Sequence, residues 1–80
     1  MKLPRDLSGS DLAKALGRLG YGVVRQTGSH VRLTRGGPKQ HHITVPAQHP
    51  LKLGTLAAIL NEVAAQQKMD RDELLRRLFD

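Results

Sequence analysis

From His30 to Arg35 the chain reads His-Val-Arg-Leu-Thr-Arg, with polar and apolar side chains in strict alternation. A period of two puts Val31 and Leu33 on one side of an extended chain and His30, Arg32 and Thr34 on the other. A second alternating stretch, QHHITVP (40–46), places His41, Ile43 and Val45 on one face and Gln40, His42 and Thr44 on the other. Between them, Gly36-Gly37-Pro38-Lys39 is a chain breaker. Upstream, YGVVRQ (21–26) has the β-branched and aromatic content of a strand, and Thr27-Gly28 turns it into SHVRLTR (29–35). Short turns between three such runs predict an antiparallel meander with one buried and one solvated face. Matching the buried faces of the last two strands leaves two registers, with Arg32 opposite either His42 or Thr44.

Helical patterns flank the strands and supply their cover. Ser8 and Asp11 are spaced as a capping box with Asp in place of the usual Glu, and Leu7 and Leu12 occupy the positions of a hydrophobic staple. Leu12, Ala15, Leu16 and Leu19 recur at helical spacing, and Gly20 suits a left-handed terminus, so a helix is predicted over roughly 9 to 19. After the loop AQHPLKLG, the residues Leu56, Ile59, Leu60, Val63 and Ala64 form one apolar stripe of a second helix. Asp70 and Glu73 have the spacing of a cap for a last short helix carrying Leu74, Leu75, Leu78 and Phe79, and QQKM (66–69) reads as either a break or a bend. The expected class is α+β: an α-β-β-β-α order with a three-stranded antiparallel sheet and a short C-terminal helix. That order matches the double-stranded-RNA-binding domain.

The chain of 80 residues, taken as one domain over 1–80, buries only about 60% of its unfolded surface, so the core is small. It has no cysteine, which fits a reducing cytosol. No apolar run reaches membrane-spanning length, and MKLPRDLSGS lacks the apolar stretch of a signal peptide, so a cytoplasmic location without membrane attachment is expected. The net charge of +6 is unevenly spread. Between Leu12 and Asn61 there is no Asp or Glu, while Lys14, Arg18, Arg25, Arg32, Arg35, Lys39 and Lys52 all fall there. A uniformly positive stretch favours a polyanionic partner, most often nucleic acid.

The solvated face carries the chemistry. His30 and Arg32 share it with Thr34, His42 and Thr44. A histidine takes and gives protons near neutral pH, and an arginine holds a phosphate and stabilises charge developing on it. RNA cleavage needs those functions, because RNA brings its own nucleophile in the ribose 2′-hydroxyl. A histidine on a solvated strand is more often merely polar surface, so pattern alone does not assign the role. His41 is expected inward, as a hydrogen-bonded core or edge residue, and His49 precedes Pro50 in a loop. No metal site or cofactor is expected: His41 and His42 point to opposite faces, with no acid or cysteine nearby. Lys52, just before the helix start marked by Gly54 and Thr55, could hold a phosphate together with that helix terminus. Gly28 is expected to turn the chain with positive φ and to leave room for a substrate.

The strings KLPRDLSGSDLAKALGRLGY, RQTGSHVRL, ITVPAQHP and LKLGTLAAIL resemble successive signatures of HicA-type toxins, in order from Lys2 to about Leu60. The final helix is compatible, and the histidine pair in KQHHITVP departs from the family signature. The resemblance implies a double-stranded-RNA-binding-like fold and an endoribonuclease that cleaves mRNA and stops translation. It implies one required histidine in the Gly-Ser-His element, which falls on His30, and a HicB-type antitoxin partner. Gly28, Ser29, Arg32, Arg35, Lys39, His42 and Lys52 are the candidate RNA-binding residues.

Overall fold

The computed structural model describes residues 3–37 and 39–80. Lys2, where the resemblance begins, and Pro38 of the breaker lie outside the described residues. The order is α1 (Gly9–Leu16), a 3-10 turn (Gly17–Leu19), β1 (Tyr21–Gln26), β2 (His30–Arg35), β3 (His41–Pro46), α2 (Leu53–Gln67) and α3 (Arg71–Phe79). The strands form one antiparallel sheet in the order β1-β2-β3. This is the expected α+β arrangement, with the element order of a double-stranded-RNA-binding domain.

The capping box forms in full. The Ser8 hydroxyl accepts from the Asp11 N–H at 2.9 Å, and the Asp11 carboxylate accepts from the Ser8 N–H at 3.3 Å. These bonds satisfy two of the donors that a helix leaves free at its start, and they hold the Asp11 carboxyl below its usual pKa. The helix tightens to 3-10 geometry at Gly17 and ends at Gly20, whose φ of 92° is the left-handed terminus expected there. QQKM is a break: Lys68 adopts φ 55°, and the Asp70 side chain then caps α3 by accepting from the Glu73 N–H at 2.8 Å.

Val31, Leu33, Ile43 and Val45 are buried on one face of the sheet, as the alternation predicts. Helix α1 lies across all three strands, α2 packs on β3 and α3, and α3 closes against α1 and the 3-10 turn. The stripe Leu56, Ile59, Leu60, Val63 and Ala64 is buried between them. Gly9 lets α1 approach the sheet end: its N–H donates to the Gln48 carbonyl at 2.8 Å, and a Cβ there would overlap the Pro46 carbonyl. The outer strand β1 is less regular. Its register against β2 shifts between Val23 and Arg25, leaving Val24 as the extra residue of a β-bulge.

Candidate functional site

The second of the two possible registers is the one formed: Arg32 pairs with Thr44, Thr34 with His42, and His30 with Pro46. His30, Arg32 and Thr34 therefore share the open face with Thr44 and His42. His30 is exposed at the first position of β2. Its backbone is fixed on both sides: the Thr27 N–H donates to its carbonyl at 2.9 Å, and its own N–H donates to the Thr27 hydroxyl at 3.2 Å. Its ring is fixed through Nδ1, which lies 3.0 Å from the Ser29 hydroxyl. Nε2 has no hydrogen-bond partner among the described residues and faces solvent.

Thr27 is a residue that pattern reading missed. A threonine just before a Gly-Ser turn is the available signal, since its hydroxyl can bond the backbone two or three residues on. The expectation for Gly28 is corrected by its backbone. Gly28 is not among the residues with positive φ, and the bonds from Thr27 close the turn instead. A Cβ at Gly28 would meet nothing within 4 Å, so the space beside it is open.

The end of the sheet that carries His30 gathers several other segments. The Ala47 N–H donates to the Ser29 carbonyl at 2.8 Å, and the Leu51 N–H donates to the Leu7 carbonyl at 2.7 Å. The loop from Ala47 to Leu51 thus runs from the His30 turn to the start of α1. Lys52 is the N-cap of α2, exposed and without a side-chain capping bond, so the first backbone donors of α2 remain available at this end. His49 lies in the same loop, near enough to Asp11 to contribute to lowering its pKa.

The remaining candidates sit apart. His42 lies opposite Thr34, its Nδ1 2.7 Å from the Thr34 hydroxyl. Thr34 is four residues along β2 from His30, about 13 Å at strand rise, so the two histidines cannot meet one phosphate. Arg35 projects on the core side and its Nε donates to the Leu19 carbonyl at 2.6 Å. Lys39 is exposed in the β2–β3 connection, also at the far end from His30. His41 faces inward as expected, with Nδ1 2.6 Å from the Tyr21 hydroxyl and Nε2 2.9 Å from the Glu62 carboxylate. Its ring meets that of Tyr21 edge to face. Among the described residues there is no cluster of three or more His, Cys, Asp or Glu side chains able to hold a metal ion. No helix is long and apolar enough to cross a membrane among the described residues.

A family model described as the HicA toxin of bacterial toxin–antitoxin matches residues 9–64. No curated protein and no solved structure matches the chain. The matched span runs from the first residue of α1 through the His30 turn and all three strands into the buried stripe of α2, well over half of the 80 residues. The chain therefore belongs to the HicA family of toxins from bacterial toxin–antitoxin systems.

Proposed function

We propose that residues 1–80 act as one toxin domain that cleaves mRNA in the cytoplasm without a metal, with His30 as general acid and base, and that a HicB-type antitoxin opposes it. The observation that carries this reading is the state of the His30 ring: exposed on the open face, held at Nδ1 by Ser29, and free at Nε2. The Ser29 hydroxyl both donates and accepts, so it tolerates either tautomer of the ring. With Nδ1–H donating to Ser29, the Nε2 lone pair removes the proton from a ribose 2′-hydroxyl. The imidazolium so formed keeps its Nδ1–H on Ser29, and its Nε2–H then delivers that proton to the departing 5′-oxygen. The 2′-oxygen attacks phosphorus, the bond to the 5′-oxygen breaks, and the products carry a 2′,3′-cyclic phosphate and a 5′-hydroxyl. Arg32, about 7 Å along the same face at strand rise, neutralises charge on the phosphoryl oxygens.

Gly28, Ser29 and Lys52 share the His30 end and fit the nearest part of the RNA. His42 and Lys39 fit only nucleotides further along, and Arg35, tied to the Leu19 carbonyl on the core side, lies off that path. The test is incubation of purified protein with end-labelled RNA in chelator, beside His30→Ala. Cyclic-phosphate products from the wild type, none from the variant, and an unchanged circular dichroism spectrum support the reading. Salt-sensitive RNA binding with no products from either protein favours the second reading, a non-catalytic double-stranded-RNA-binding module, which the element order also fits.

A further inference from the structure

The bulge in β1 decides where Arg25 points. Tyr21 and Val23 pair with Arg35 and Leu33, which are core-side positions of β2, so strict alternation would send Arg25 to the core side as well. The extra residue Val24 reverses the phase, and Arg25 pairs directly with Arg32. In an antiparallel sheet, opposed residues project on the same face with Cβ atoms about 5 Å apart. Two guanidinium groups therefore stand side by side on the open face, with Thr44 beyond Arg32 in the same row and His30 one pleat away.

This pairing works against the fold. Like charges directly opposed across a ladder destabilise it. Both arginines are exposed, and neither has an ion pair or hydrogen bond among the described residues. The Asp- and Glu-free stretch from Leu12 to Asn61 leaves no local carboxylate to relieve them. An anion bridging the two would relieve them, since planar guanidinium groups match phosphate oxygens in bidentate fashion. The face also lacks any Tyr, Phe or Trp on which bases could stack. The chain has one Tyr, one Phe and no Trp. Tyr21 is buried on the core side, and Phe79 packs against the core.

We infer that Arg25 and Arg32 form a two-arginine clamp for a backbone phosphate of the nucleic acid, created by the Val24 bulge and placed beside His30. The inference rests on the RNA-cleaving reading above and adds Arg25 to it. It gives recognition through the sugar–phosphate backbone, with little dependence on base identity, because the contacts are ionic and the face offers no Tyr, Phe or Trp platform.

The test uses the full chain carrying His30→Ala, so that RNA stays intact, and measures binding of a short labelled RNA over a range of salt. Adding Arg25→Thr should weaken binding by roughly tenfold or more and lower the slope of log affinity against log salt by about 1. Arg32→Thr should behave alike, and the double variant should lose less than the two single losses combined, as expected for one shared phosphate. Arg76→Thr on α3 serves as the distant control and should change little. The thermal midpoint of the Arg25→Thr protein should hold or rise, because a repulsion has been removed. Unchanged affinity and slope, additive losses, or a clear fall in the thermal midpoint would each overturn the clamp. If the parent binds RNA and only these variants behave as controls, the clamp fails and the cleavage reading stands. If the parent binds no RNA even at low salt, both fail.

Discussion

Gly9 and Pro46 meet so closely that the first turn of α1 has room for no side chain against the end of β3. The contact joins the two halves of the site end. Helix α1 reaches β3 through it, and the Gly9 N–H bond to Gln48 anchors the loop that leads on toward Lys52. Gly9→Ala forces a methyl group into backbone atoms that cannot rotate away, so it should cost on the order of the 1–3 kcal/mol typical of overpacked sites. Urea unfolding of the purified variant gives the value, and a midpoint equal to that of wild type would show that the approach is looser than described.

The His41 bridge should matter for stability and not for chemistry. Tyr21, Arg35 and His41 occupy one end of the sheet, and His30 lies at the other. Burial pushes the Tyr21 hydroxyl above its usual pKa, so it remains protonated and bonded to His41 at neutral pH. Tyr21→Phe leaves the half-buried His41 Nδ1 without this partner and should cost about 1 kcal/mol. RNA cleavage by the folded variant, measured well below its melting temperature, should match wild type.

Gly28→Ala separates backbone need from substrate need. The turn requires no positive φ at Gly28, and a Cβ would enter open space. Melting should therefore be unchanged, or raised slightly because the unfolded chain loses freedom. On the reading that RNA approaches His30 over this turn, cleavage should fall. Full activity in a normally folded Gly28→Ala protein would place the RNA elsewhere.

The capping box gives a pH dependence of known sign. The folded-state pKa of Asp11 lies below the ordinary 3.8, chiefly through the bond from the Ser8 side chain and then its backbone, with smaller attractions from His49 and Lys14. A depressed carboxyl pKa contributes stability that is complete above the unfolded value and is lost as pH falls through the folded one. Wild type should therefore lose more stability than Asp11→Asn as pH is lowered below 3.8. The two proteins should run parallel between pH 5 and 7. Paired urea titrations from neutral pH down through 3.8 and below provide the comparison, and curves that stay parallel below 3.8 would contradict it.

What could be read ahead of the structure was whatever repeats locally. Val31, Leu33, Ile43 and Val45 declare the buried face through a period of two, and Leu56 to Ala64 declare a helix stripe through 3.6. The Ser8–Asp11 and Asp70–Glu73 spacings declare their caps. Features set by contact between distant segments stayed hidden. Nothing near Gly9 announces Pro46. Val23 and Val24 are alike, so the pattern of β1 fits a straight strand as well as a bulged one. Lys68 ends α2 in the left-handed region without the glycine that usually marks it. For the site, His30 and Arg32 were legible from alternation. Gly28 was given the wrong reason, because the Thr27 hydroxyl does the work assigned to a flexible backbone. Arg35 falls on the core side of its strand, tied to Leu19, although its charge suggested a surface role.

Strand β1 forms one edge of the sheet, and it presents Val23 and Val24 at 54% and 61% exposure. A straight apolar edge of this kind invites the strand of another molecule to add to it, and so seeds aggregates. The bulge breaks the even spacing of the outward amides and carbonyls, and Arg25 sets a charge beside the two valines. Deleting Val24 would bring β1 into one straight register with Arg25 still opposite Arg32, so a single lost codon would even out the edge and leave its outward amides and carbonyls open to a strand of another copy.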